Sequence, residues 1–251
     1  MTALLEVREV SHRFGGLQVL KGVTFAVEDG SVTGLIGPNG AGKSTLFNII
    51  SGFLTPSVGS VILLGEDATR LGIQRRSRMG LQRTFQTPQV FRDLTVHENL
   101  LAGCHGHGRT GVLEAFLGLP QVRRELREAT ILADAAIERF DLEPYREMQA
   151  GELPAGRQRM VELARAVVAR PKLLCLDEPS SGLSAAEVRT LMQALRRLND
   201  DGMTILLVSH DMELMEITST MHALCFGEII ATGSLRTMRA SPRVREAYLG
   251  T

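Results

Sequence analysis

The spacing of apolar residues changes along the chain, and the changes outline an α/β protein. Two β-prone stretches, Leu4 to Val10 and Val19 to Val27, come first. A short apolar run, Ser31 to Ile36, follows, then a helix-like segment and a further stretch from Ser60 to Leu64. The first two stretches and the last are expected to pair as a small antiparallel layer. From Thr95 the pattern turns helical. Thr95-Val96-His97-Glu98 reads as a capping box, and Gln121 to Phe140 separates a charged face from an apolar one. Pro88, Pro120, Pro144 and Pro154 punctuate this section. Leu173 to Leu176 and Met203 to Val208 are short apolar strands, each running into a helical segment. That alternation predicts a parallel sheet with crossover helices. No repeat or low-complexity segment is evident.

The run from Ser31 to Ile36 ends in Gly37-Pro38-Asn39-Gly40-Ala41-Gly42-Lys43-Ser44-Thr45, a phosphate-cradling loop between a strand and a helix. Its glycines let backbone amides converge on phosphate oxygens. Lys43 brings a mobile positive charge to the outer phosphates, and Ser44 offers a hydroxyl to Mg²⁺. The chain is therefore expected to bind a nucleoside triphosphate. Leu173-Leu174-Cys175-Leu176-Asp177-Glu178 is an apolar strand ending in two acids, at the edge where open α/β sheets bind ligands. Asp177 can reach Mg²⁺ through water. Glu178 can polarise the water that attacks the γ-phosphate. Val208-Ser209-His210-Asp211 repeats this layout, and its imidazole can hold the γ-phosphate or bridge to Glu178.

Length and charge narrow the setting. At 251 residues the chain can bury a large core, as one α/β domain or a core with an inserted subdomain. Lys+Arg and Asp+Glu both total 28, so no global field draws it to nucleic acid or an anionic bilayer. The local cluster Arg75, Arg76, Arg78 and Arg83 is read as a solvated helix face and loop beside the nucleotide. Three cysteines at irregular spacing are expected to stay reduced, Cys175 inside a buried strand. The acidic residues near Met1 do not suit a signal peptide, and no apolar run approaches the roughly eighteen residues of a spanning helix. Cys104-His105-Gly106-His107-Gly108 fits no zinc spacing and is read as a loop, while His12, His97 and His222 are read as structural.

Taken in order, these motifs resemble the ATPase subunit of an ATP-binding cassette (ABC) transporter, over essentially the whole chain. The resemblance implies a P-loop NTPase domain over 1–251: residues 1–86 and 167–251 form the nucleotide-binding core with its antiparallel layer, and 87–166 form an inserted α-helical subdomain. It makes ATP and Mg²⁺ the cofactors. Phe14 is the adenine-stacking aromatic, and Gln86, in Gly80-Leu81-Gln82-Arg83-Thr84-Phe85-Gln86, is the Q-loop amide that senses metal and attacking water. His210 becomes the switch histidine. It also implies a head-to-tail pair in which each ATP lies between one subunit's P-loop and the other's signature helix. The partners implied are a second ATPase subunit, two transmembrane permease subunits and an extracytoplasmic solute-binding protein. The place implied is the cytoplasmic face of the membrane, with no nucleic-acid partner.

Two segments depart from the family pattern. Where the signature usually reads Leu-Ser-Gly-Gly-Gln, this chain has Leu153-Pro154-Ala155-Gly156-Arg157. Pro154 supplies neither a hydroxyl nor an N–H, leaving Gly156 and the positive end of the following helix to face a phosphate. The two ATP sites of a pair are therefore expected to be unequal, unless backbone amides and the helix dipole suffice. Ser184 stands where many relatives carry aspartate, but Ser184-Ala185-Ala186-Glu187 preserves a capping box. Phe14-Gly15-Gly16-Leu17, Arg83-Thr84-Phe85-Gln86-Thr87-Pro88, His210-Asp211-Met212-Glu213 and Glu246-Ala247-Tyr248-Leu249-Gly250 further resemble the ATPases of branched-chain amino acid uptake systems. Urea and amide importers, the lipopolysaccharide export ATPase, and a soluble non-transport ABC ATPase remain alternatives.

Overall fold

The computed structural model describes residues 3–104 and 120–249, so the stretch from His105 to Gly108 lies outside the described residues. The chain divides into two compact units, Met1–Gln86 with Lys172–Thr251, and Thr87–Pro171.

In the first unit, strands β1 (Ala3–Phe14), β2 (Leu17–Glu28), β4 (Val58–Leu63) and β5 (Glu66–Asp67) form an antiparallel sheet in the order β2-β1-β4-β5. A six-stranded sheet adds β3 (Val32–Ile36), β6 (Leu81–Arg83), β7 (Leu173–Asp177), β8 (Thr204–Val208), β9 (Thr220–Cys225) and β10 (Glu228–Gly233), in the order β10-β9-β3-β8-β7-β6. All its neighbours pair in parallel except β10 with β9. Every residue of β3 and β8 is buried, which is why these strands read as largely apolar runs without alternation, each with one buried threonine. The core joins both sheets to helix α1 (Lys43–Ile50): Val7, Val27 and Val61 of the antiparallel sheet belong to the same apolar cluster as Leu35, Leu206 and Phe47. Helix α2 (Ile73–Met79) precedes β6.

The second unit contains α3 (Val96–Cys104), α4 (Pro120–Arg139) and α5 (Ala155–Val168). The expected box at its start is present: Glu98 N–H donates to Thr95 Oγ1 at 3.1 Å and Thr95 N–H to Glu98 Oε2 at 2.8 Å. Gly103 lets α3 meet α5 closely, since a Cβ there would lie 2.6 Å from the Arg165 carbonyl oxygen.

Back in the first unit, helix α6 (Ala185–Asp200) opens with the capping box expected at Ser184 and Glu187, and its buried residues Val188, Leu191, Met192 and Leu195 follow the helical repeat. Helices α7 (Leu235–Ala240) and α8 (Pro242–Leu249) end the described chain.

The arginine cluster is not the solvated face expected of it. Arg75 and Arg78 are exposed, but Arg76 is wholly buried and Arg83 nearly so. Arg76 sits among backbone carbonyls at the end of α1 and along Ala68–Leu71, and its burial answers a local concentration of acceptors that the sequence does not display.

Candidate functional site

Because β3, β6, β7 and β8 run parallel, their carboxyl ends share one edge of the sheet, and the segments that follow them assemble there. After β3 comes the glycine loop. Gly40 and Gly42 hold φ of +79° and +106°, values that favour glycine, and Gly42 caps α1 in that conformation. Gly42 also has no room for a side chain, since a Cβ would lie 2.8 Å from Leu20 Cδ2. Asn39, Gly40 and Ser44 are exposed, Lys43 and Thr45 half-buried, and Gly37, Ala41 and Gly42 buried. The Lys43 ammonium donates to the carbonyls of Gly37 at 2.6 Å and Pro38 at 3.0 Å, folding back over the loop. Burial lowers its pKa, while the charges of Glu178 and Asp177 act the other way, so both acids bear on the lysine.

Asp177 closes β7 opposite Val208, and Glu178 follows with φ of +47°, a conformation rare for a residue with a Cβ. Its N–H donates to Val208 O at 2.8 Å, fastening the strained residue to the next strand. Glu178 Oε2 lies 2.8 Å from His210 Nδ1, so of the two roles expected for His210 the structure displays the bridge. Glu178 is largely buried and His210 is open to solvent. A buried carboxylate held by an imidazole, beside a lysine and a second carboxylate, can take a proton from water next to a bound polyphosphate.

Gln86 is exposed, three residues past the end of β6, on the same edge as Asp177. Phe14 ends β1 and is half exposed, its ring edge-on to His12 at 4.6 Å. The neighbouring strand β2 lies against the loop: Lys21 N–H donates to Gly227 O at 2.9 Å and Gly227 N–H to Ala41 O at 3.1 Å. Gly156 belongs to the other unit, buried in the first turn of α5. Pro154 precedes that helix without any side-chain cap bond, and Arg157 lies with its guanidinium 5.1 Å from the centre of the Tyr145 ring. Among the described residues no cluster of three metal-ligating His, Cys, Asp or Glu side chains occurs, and no helix is long and apolar enough to cross a membrane.

Two residues of this region escaped the sequence reading. Arg83 donates from Nη2 to Asp177 Oδ2 at 2.7 Å, and its place at the end of a three-residue strand was too short a signal. Tyr248 reaches the other end of the loop. Burial raises its phenol pKa, partly offset by a hydrogen bond with the Gly37 backbone.

Comparison with known proteins agrees with this geometry. The "ABC transporter" family model matches residues 20–181, and "Branched-chain amino acid ATP-binding cassette transporter" matches 228–251, the segment that carries Tyr248. The chain is 39% identical over 249 residues to the high-affinity branched-chain amino acid transport ATP-binding protein BraF of Pseudomonas aeruginosa, covering 98% of both. It is equally similar to LivG of Escherichia coli K12, and 33% identical to the probable LivG of Archaeoglobus fulgidus. A solved ATP-binding cassette of an ABC transporter in its ADP conformation superposes with a TM-score of 0.87 and 31% identity over the full length of both chains. A nucleotide-free cassette gives 0.86, also at 31% identity. On this evidence the chain belongs to the ABC transporter ATP-binding family, as an ATP-hydrolysing subunit of the branch that holds LivG and BraF.

Proposed function

We propose that this subunit powers import of branched-chain or other hydrophobic amino acids, docked at the cytoplasmic face on two permease subunits. A second ATPase subunit and an extracytoplasmic binding protein complete the system. The names of its relatives support the solute, and the observation that carries the motor role is the 2.8 Å Glu178–His210 pair beside Lys43 and Asp177.

Lys43 draws the outer phosphates to the loop. Glu178 receives a proton from the attacking water as the new O–P bond forms and the bond from the γ-phosphorus to the β–γ bridging oxygen breaks, ADP leaving with that electron pair, and His210 keeps that carboxylate aimed. Ser44, Gln86 and Asp177 supply a hydroxyl, an amide oxygen and a carboxylate, an all-oxygen donor set suited to Mg²⁺. When bound, Mg²⁺ would neutralise charge on the β- and γ-phosphate oxygens. Phe14 offers its exposed face to adenine.

Turnover in the purified complex tests the motor. Glu178→Gln is expected to keep nucleotide binding and lose hydrolysis, and hydrolysis at the parent rate would remove Glu178 as the base. Stimulation of vesicle ATPase by leucine, isoleucine or valine supports the solute. Stimulation by urea or an amide alone reassigns it, and recovery in a nucleoprotein particle without membrane subunits overturns transport.

The signature supports a second reading, that the paired ATP sites are unequal. Arg157 and Gln158 N–H groups already donate to the Pro154 carbonyl at 2.9 and 3.0 Å, and Pro154 itself has no N–H. Only the first-turn amides of Ala155 and Gly156 remain for a partner's γ-phosphate, with Arg157 drawn over Tyr145. Losing one charge-assisted donor costs about 1.5–3 kcal/mol, roughly ten- to a hundredfold in rate. ATPase of this chain alone should therefore fall well below that of its mixture with the second subunit. Equal, cooperative rates would refute the inequality.

A further inference from the structure

Arg83 is held through both terminal nitrogens of its guanidinium. Its Nη1 donates to Asn48 Oδ1 at 2.7 Å and Ser51 Oγ at 2.8 Å, from the end of α1, while Nη2 donates to Asp177 Oδ2 at 2.7 Å. The rings of Phe47, Phe53 and Phe85 lie 5.5, 5.5 and 5.2 Å from its guanidinium carbon. The side chain is 8% exposed and that of Asp177 13%. Such an arginine is closely restrained: aromatic faces limit its plane, α1 fixes one terminal nitrogen, and the other terminal nitrogen is left pointing at one carboxylate oxygen.

We propose that Arg83 is a positioning residue for Asp177, clamping one carboxylate oxygen so that the other is presented in a single orientation to the metal of the bound nucleotide. The inference rests on the reading of Asp177 as a metal-binding carboxylate. It distinguishes clamping from simple neutralisation by sign. A neutralising arginine weakens the carboxylate's pull on a cation, so its removal would tighten metal binding. A clamping arginine prepays the ordering of the carboxylate, so its removal loosens metal binding.

The experiment is calorimetric binding of ADP to the full chain, in EDTA and across a Mg²⁺ titration, with melting of the nucleotide-free protein followed in parallel. Arg83→Met is expected to raise the half-saturating Mg²⁺ concentration about tenfold and to leave the metal-free ADP affinity within about twofold. Arg83→Lys, which keeps the charge and the fold but cannot span Asn48, Ser51 and Asp177 together, should shift the titration in the same direction. An unchanged or lowered Mg²⁺ requirement in both variants, or equal weakening with and without metal, overturns the proposal. Asp177→Asn separates the two layers. If it leaves the Mg²⁺ titration unmoved, the metal reading of Asp177 fails; if it moves the titration and the Arg83 variants do not, positioning alone fails.

Discussion

Replacing Arg76 by methionine keeps the aliphatic bulk and removes the donors that close the far end of the P-loop helix. Arg76 donates to Ile49 O at 2.6 Å, Ile50 O at 2.5 Å and Ala68 O at 2.6 Å, with further bonds to Leu71 O at 2.9 Å and Thr69 O at 3.3 Å. Ile49 and Ile50 are the last residues of α1, so the guanidinium serves as a buried C-terminal cap facing the negative end of the helix dipole. Three short charge-assisted bonds at about 2 kcal/mol each set a gross loss near 6 kcal/mol. Burial, the larger influence, and Asp67 together leave the arginine's pKa at about 10. Relief of that desolvation returns about 3 kcal/mol at 1.36 kcal/mol per unit. The net destabilisation is about 3 kcal/mol. With an unfolding entropy of about 2.1 cal/mol/K per residue, a chain of this length should melt roughly 6 °C lower. Scanning calorimetry of Arg76→Met against Arg75→Met and Arg78→Met, whose side chains are exposed, reads the difference directly. A melting point for Arg76→Met within about 1 °C of those controls would show that the buried bonds add nothing.

Three further outcomes follow from contacts of other kinds. Gly37→Ala would place a Cβ 2.1 Å from the Leu224 carbonyl oxygen, so the backbone whose carbonyl anchors Lys43 must move; ADP affinity by calorimetry should drop at least about tenfold, whereas Gly16→Ala, which meets open space, should leave it unchanged. Ser184→Ala removes the box that starts α6 and should cost about 1 kcal/mol in urea melts with no change in nucleotide affinity. His222 is pushed down to about 4 by burial, partly offset by the Ala26 backbone. A depressed histidine contributes stability in full above its unfolded pKa of about 6.5 and loses it as pH falls toward 4, about 3 kcal/mol in all. Urea melts between pH 7.5 and 4.5 should show that slope and His222→Gln should flatten it; equal slopes would show that His222 stays exposed to protons.

What the sequence disclosed depended on whether a residue's neighbours in space are also its neighbours along the chain. The glycine loop, the tandem acids and both capping boxes are local, so spacing alone reveals them, and the structure draws Thr95 with Glu98 and Ser184 with Glu187 as expected. The largely apolar strands β7 and β8 were legible for a related reason, since burial on both faces leaves little but hydrophobic residues. By contrast β6, with three residues, and the β9–β10 hairpin were missed. Strand β6 exists because β7 offers it an edge, and β9 carries a histidine, His222, in a register that buries it against Phe25. Neither signal is present in the strand's own pattern.

The arginines show the same limit most sharply. Arg75, Arg76, Arg78 and Arg83 are alike as letters, and a helix-face reading assigns all of them to solvent. Residues 75, 76 and 78 do share a helix, yet successive positions differ by about 100° in direction, so Arg76 alone points inward. Once inside, it survives as a cation because the last turn of α1 and the Ala68–Leu71 segment turn carbonyls toward it, while Arg83 survives because Asp177 and three aromatic rings meet it. Both arginines touch α1, one closing its last turn and one bonding Asn48, while the opposite end of the same helix begins at Lys43. The local motif supplies the atoms that meet phosphate, and the far end of the helix that carries it is fastened by two cations that only the folded chain brings there.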